Sequence, residues 1–205
     1  MRPLPRLHAV TDSRVLADPD LGRKAAALAA LGPATVLHLR DRNATTHALA
    51  EVGRRFVALA QPPEASVIVS ARADLARALG AHGVQLGVND VAVGDARRVL
   101  GKGWIGRSVH SLEEARAAVD DGADYLFAGN IFETTSHPGR PAAGVGFLSA
   151  CASLGRPVIA IGGVTAERAA ECRDAGAWGV AAIRALWDAP DPYAAGHALL
   201  APWAE

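Results

Sequence analysis

Eight times along this chain, a short apolar run rich in Val, Ile and Leu gives way to an alanine-rich stretch with charges three and four residues apart. The runs are Leu7–Val10, Ala34–Leu39, Ser66–Val69, Gly83–Leu86, Trp104–Ser108, Tyr125–Ala128, Pro157–Ile161 and Gly179–Ile183. The stretches between them predict helices over 20–30, 45–60, 72–80, 92–100, 111–121, 146–154, 165–175 and 191–201. Strands apolar on both faces need cover on both faces, and in regular alternation with helices that means a parallel sheet. Eight such units in 205 residues predict an α/β fold, a single (β/α)8 TIM barrel near the low end of its size range. The competing open, doubly wound sheet normally carries a glycine-rich turn after its first strand. Here that strand runs into Val10-Thr11-Asp12-Ser13, which has no glycine. No linker or charge block divides the chain, so residues 1–205 are read as one domain.

Composition narrows the partners. Lys and Arg number 21 and Asp and Glu number 21, so no basic excess points to nucleic acid or an anionic membrane. No apolar stretch reaches the 18 residues of a spanning helix, and the start turns polar by Thr11-Asp12, too early for a secretory signal. A cytoplasmic protein is expected. Cys151 and Cys172 are too few for a disulfide framework and lack metal-ligand spacing.

Barrels of this kind collect their active sites at the C-terminal ends of the strands, so the residues just after each apolar run matter most. Gly162-Gly163 follows the seventh run and precedes Thr165, a good helix N-cap; Ile183-Arg184 ends the eighth. Phosphate sites after strands seven and eight are common in this fold, where backbone N–H groups approach the anion closely. A phosphate site at Gly162, Gly163, Ile183 and Arg184 is therefore expected. Strand alternation predicts that His38, Arg40 and Arg42 face one way, into the barrel mouth, where two guanidiniums call for an anionic ligand. Other polar positions at strand ends are Ser70, Gln85 to Asp90, and Arg107 to His110. The long Gly-, Pro- and Thr-rich loop from Gly129 to Gly146 offers Thr134, Ser136 and His137 to a ligand. His38, His110 and His137 stand where acid–base work would be placed; His8, His47, His82 and His197 are read as structural.

Several segments resemble the thiamine phosphate synthase/TenI superfamily: Leu7-His-Ala-Val-Thr-Asp12, Leu37-His-Leu-Arg-Asp-Arg42, Gly83-Val-Gln-Leu-Gly87, Ile105-Gly-Arg-Ser-Val-His-Ser-Leu-Glu-Glu-Ala115, Gly122-Ala-Asp-Tyr125, Ile131-Phe-Glu-Thr134 and Val158-Ile-Ala-Ile-Gly-Gly-Val164. They fall in order over about residues 7–186. The resemblance implies a (β/α)8 barrel, a thiazole phosphate ligand and a homodimer. It also implies one of two activities. The synthase branch joins a pyrimidine pyrophosphate to a thiazole phosphate with Mg²⁺, releasing pyrophosphate. The TenI branch is a thiazole tautomerase that moves a proton to aromatise a thiazole carboxylate phosphate, without metal.

Carried over residue by residue, the synthase's Gln-Leu-Arg-Glu-Lys becomes His38-Leu-Arg40-Asp-Arg42, keeping both cations. The Asn-Asp pair whose Asp holds Mg²⁺ becomes Ser70-Ala71. The second Mg²⁺ carboxylate falls on Asp90, the serine after strand five is Ser108, and a lysine that contacts pyrophosphate becomes His137. In the tautomerase the acid–base histidine before Phe-Glu-Thr becomes Asn130, which cannot shuttle a proton. The wording is closer to TenI. The expectation is a tautomerase without cofactor, its proton moved by His110 or His137 beside Asn130, its substrate held by His38, Arg40, Arg42, Ser70, Gln85, Ser108, Thr134 and Ser136. The alternatives are a synthase with Mg²⁺ on Asp90, and a non-catalytic binder of thiazole or thiamine phosphates.

Overall fold

The computed structural model describes residues 3–134 and 141–204. Eight strands close in sequence order into a parallel barrel: β1 (Leu7–Val10), β2 (Thr35–Leu39), β3 (Ser66–Ser70), β4 (Gly83–Leu86), β5 (Trp104–Val109), β6 (Tyr125–Gly129), β7 (Val158–Ile161) and β8 (Gly179–Ala182). The helices are α1 (Ser13–Leu16), α2 (Leu21–Ala29), α3 (Thr46–Ala60), α4 (Ala73–Leu79), α5 (Val93–Leu100), α6 (Leu112–Asp120), α7 (Gly144–Ala152), α8 (Ala166–Asp174), α9 (Arg184–Trp187) and α10 (Pro192–Leu200). The eight predicted strands and eight longer helices are all present. The short α1 and α9 are additions: four residues carry too little periodicity to be read. Among the described residues no helix is long and apolar enough to cross a membrane.

Period-2 alternation sorts the strand residues into two cores. Leu7, Leu37, Val67, Val84, Leu126 and Val180 point outward and bury against the helices. Val10, Val36, Ile68, Tyr125, Phe127 and Ile159 fill the interior, with Trp104. Burying each large side chain contributes about 1.5–3 kcal/mol, which explains why the helices need only one apolar face. Side-chain caps fix the starts of four of them, α1, α3, α6 and α10. Thr45 accepts the Ala48 N–H ahead of α3, and Asp191 accepts the Ala194 N–H ahead of α10.

Two histidines sit in this interior, both fully buried. His8 Nε2 lies 3.1 Å from the Pro5 carbonyl, and its Nδ1 lies 2.7 Å from His38 Nε2. A carbonyl can only accept, so His8 Nε2 carries the hydrogen, His8 Nδ1 is the acceptor, and His38 Nε2–H must donate to it. His38 Nδ1 is then a bare lone pair, and it has no hydrogen-bond partner. His38 also stacks on Phe127 with ring centroids 5.4 Å apart. Burial drives the His8 pKa down to about 3 and holds that of His38 well below the ordinary value, with His8 adding to the effect.

This corrects the expectation for β2. His38 does point inward, but too deep to meet a ligand at the mouth. Alternation also stops at Leu39, because the Thr11 hydroxyl accepts the Arg40 N–H (2.8 Å) and donates to the Arg40 carbonyl (2.9 Å). Arg42 beyond this pin is exposed, so the three residues do not form one inward row.

Candidate active site

At the C-terminal ends of β6, β7 and β8 lies a cavity of about 530 Å³. Its lining includes the turn Gly162-Gly163. Both glycines have positive φ, +96° and +64°. A Cβ on Gly162 would meet that of Asn130 at 2.4 Å, and one on Gly163 would meet the Glu133 carbonyl at 2.4 Å. The turn is locked to the segment after β6, since the Phe132 N–H donates to the Gly162 carbonyl at 3.0 Å. Left-handed backbone costs a residue with a Cβ about 1–2 kcal/mol, and here the collision adds to it. Gly163→Ala should therefore lower the unfolding free energy by at least about 1 kcal/mol and abolish any rise in melting temperature caused by inorganic phosphate. A variant with wild-type melting and an intact phosphate response would show that the turn does not need glycine.

Thr165 takes the N-cap position of α8, but its side chain makes no capping bond. The hydroxyl instead bonds Glu167, holding that carboxyl below its ordinary range. Arg184, just past β8, reaches the same cavity, as does Ile183.

His110 enters from the end of β5. Ser111 accepts the Glu114 N–H at 3.1 Å, while the Glu114 carboxylate accepts the His110 N–H at 2.7 Å. This Ser-x-x-Glu capping arrangement fixes the backbone beside the imidazole. The ring's Nδ1 meets the Gly129 carbonyl, so Nδ1 carries the hydrogen and the neutral ring keeps its free lone pair on Nε2. Asn130 is buried, with its Nδ2 3.4 Å from the Phe132 carbonyl.

Of the residues expected from sequence, the cavity gathers His110, Asn130, Thr134, Gly162, Gly163, Ile183 and Arg184. Ser136 and His137 lie outside the described residues. Arg40, Ser70 and Asp90 lie at the ends of other strands, outside this lining, while Gln85 is buried within β4 and donates to Ser108 Oγ at 3.1 Å. Arg40 is half-buried, and burial, then the like charge of Arg42, lowers its pKa against the opposing charges of Asp12 and Asp41. Sequence reasoning missed Arg168 in this lining. Its one signal was a place in the first helical turn after the glycine pair.

The family model for thiamine monophosphate synthase matches residues 7–186. This chain belongs to the thiamine monophosphate synthase/TenI family. It is 40% identical over 170 residues to the thiamine-phosphate synthase of Thermus thermophilus, covering 82% of each chain. The thiamine-phosphate synthase of Chloroflexus aurantiacus is 38% identical over 201 residues, covering 96% of this chain and 91% of that one. Among solved structures, thiamine phosphate pyrophosphorylase from Pyrococcus furiosus superposes with a TM-score of 0.83 at 34% identity, covering 96% and 94% of the two chains. A 3-hexulose-6-phosphate synthase, at 19% identity and TM-score 0.69 over 96% and 99% of the chains, shares the fold.

The synthase branch of the family implies Mg²⁺. Position 71 offers a methyl group where a carboxylate would stand, and among the described residues no group of three or more His, Cys, Asp or Glu could hold a metal. One candidate carboxylate is present, Asp90, half-buried after β4 with Oδ2 accepting the Gly87 N–H at 2.6 Å. Mg²⁺ is held by one or two protein carboxylates, the remaining positions going to water and substrate phosphates. Asp90 with a pyrophosphate is the smallest set that fits.

Proposed function

We propose that this chain is an enzyme of thiamine biosynthesis that binds a thiazole phosphate in the β6–β8 cavity and couples it to a pyrimidine pyrophosphate, as a thiamine-phosphate synthase. The observation that carries this reading is identity of about 40%, over most of both chains, to synthases of that name. It reverses the order of the sequence-based expectation, which placed the tautomerase first.

In this reading the Gly162-Gly163 turn and Arg184 hold the thiazole phosphate, and Thr134 and Glu133 border the ring. Across the mouth, Arg40 and Arg42 attract the pyrophosphate, which departs as the pyrimidine carbon passes from its oxygen to the thiazole. Mg²⁺, when bound, neutralises charge on the departing group, and Asp90 is the residue present to hold it. A closed barrel sets the two arcs of its mouth facing one another, so that bound reactants meet with little motion left to lose. The homodimer expected from the resemblance belongs to the same proposal, and light scattering tests it.

A second reading, the thiazole tautomerase, is favoured by two observations: the methyl group at Ala71 and the His110 imidazole in the cavity with Nε2 as its acceptor. There His110 takes the proton from the thiazole carboxylate phosphate and returns it at the neighbouring position.

A paired turnover assay separates them. One arm supplies the non-aromatic thiazole carboxylate phosphate; the other supplies pyrimidine pyrophosphate, aromatic thiazole phosphate and Mg²⁺. Thiamine phosphate in the second arm is the expected result. Turnover in the first arm alone, falling about 10²–10⁴-fold in His110→Gln, would replace the synthase with the tautomerase. Silence in both arms would remove both.

A further inference from the structure

Arg168 lies in the first turn of α8 and lines the cavity. One guanidinium nitrogen, Nη1, donates to the Gly163 carbonyl at 2.8 Å. The Cζ atom stands 4.7 Å from the centroid of the Phe132 ring. Phe132 is itself tied to the turn through its N–H to Gly162. A guanidinium has five N–H donors in a rigid plane. The Gly163 bond uses one, and contact with the aromatic face restrains the plane. An exposed arginine normally sweeps a large volume and loses that freedom when it binds. Here much of that loss has been taken in advance, with the charge held beside the glycine turn.

We propose that Arg168 is a second cation for the phosphate group, acting with Arg184 in the lining of the same cavity and matching the site to a phosphate monoester dianion. The inference rests on the reading of this cavity as the phosphate site. It adds a binding residue, and Phe132 as the residue that positions it.

The test is titration of the whole protein with inorganic phosphate by calorimetry, at several salt concentrations, so that turnover does not enter. Arg168→Met should bind phosphate about tenfold more weakly, the size of one lost charge-assisted contact. Its affinity should also depend less steeply on salt, because one cation has gone. Arg168→Lys should recover most of the affinity, and Phe132→Leu should lose a few-fold while keeping the wild-type salt dependence. A merely structural arginine would leave the salt dependence unchanged in Arg168→Met.

Wild-type phosphate affinity in Arg168→Met, or Arg168→Lys no better than Arg168→Met, would overturn the proposal. Weakened binding in Arg184→Met beside wild-type binding in Arg168→Met would remove the role of Arg168 and leave the site standing. No phosphate binding by the wild-type protein would remove the site and this role together. Phosphate binding that follows the expected pattern, in a protein inactive in both turnover arms, would keep the inference and discard the catalytic reading.

Discussion

Between pH 7 and pH 4.5 the unfolding free energy should fall by on the order of 2–3 kcal/mol through His8, and further through His38. In the unfolded chain both rings take a proton near pH 6.5. In the barrel neither does: the His8 pKa is lowered to about 3 and that of His38 well below the ordinary value, burial being the larger cause in each. A proton on His8 Nδ1 would break the bond from His38, and one on His38 Nδ1 would bury a charge that has no acceptor. Below pH 6.5 the unfolded state therefore binds more protons than the folded state, and stability drops as pH falls. The slope is about 1.4 kcal/mol per pH unit for each ring. The loss continues toward pH 3 for His8, and it is a large share of the whole stability of an ordinary domain, about 5–15 kcal/mol. Above pH 6.5 both states leave the rings neutral, and this source of pH dependence vanishes. Carboxylates held below their ordinary values, Asp74 at about 2 for one, enter only at lower pH. Denaturant titrations at pH 7, 6, 5 and 4.5 measure the slope. A His8→Leu/His38→Leu double variant should be flat over the same window, whatever its own midpoint. An equally flat wild type would show that the pair takes up protons in place.

The second large effect concerns metal dependence of the coupling reaction, where two substitutions should move it in opposite directions. Asp90→Asn removes the one candidate carboxylate while an amide oxygen remains to accept the Gly87 N–H, so the fold should persist. Coupling should fall about 10²-fold, a loss of about 2.7 kcal/mol from the transition state. Ala71→Asp restores a carboxylate at the end of β3. Ala71 sits at φ +64°, with its N–H donating to the Gln85 carbonyl at 2.8 Å. That left-handed backbone is unfavourable for alanine, whereas aspartate is enriched in it. The substitution should therefore leave stability unchanged or slightly raised, and should lower the Mg²⁺ concentration for half-maximal rate about tenfold. Rates followed against Mg²⁺ with and without chelator give both answers. If chelation and Asp90→Asn both leave thiamine phosphate formation untouched, Mg²⁺ has no place in this protein's chemistry.

The barrel was legible in the sequence because its signal is local and repeated. Each strand run, such as Val158–Ile161 after Pro157, is apolar on both faces, and most of the longer helices space their charges three and four residues apart. The phosphate turn was legible for a related reason: two consecutive glycines at a strand end point to backbone that a side chain would obstruct. Burial depth was not legible. His38 and Arg40 share an alternation, yet one lies inside the barrel against His8 and the other is pinned near the rim by Thr11, a residue 29 positions away. Arg168 was missed because its partners, Phe132 and the Gly163 carbonyl, meet it only once β6 and β7 lie side by side. Between the two activities the sequence reading put the tautomerase first, on a few segments of closer wording, whereas identity over most of the chain favours the synthase.

The glycine turn, Arg168 and Arg184 belong to one arc of the barrel mouth; Arg40, Ala71 and Asp90 belong to another. The side chains that would serve the departing pyrophosphate can therefore be exchanged without touching those that would hold the thiazole phosphate, so the two halves of the proposed reaction are open to separate mutation.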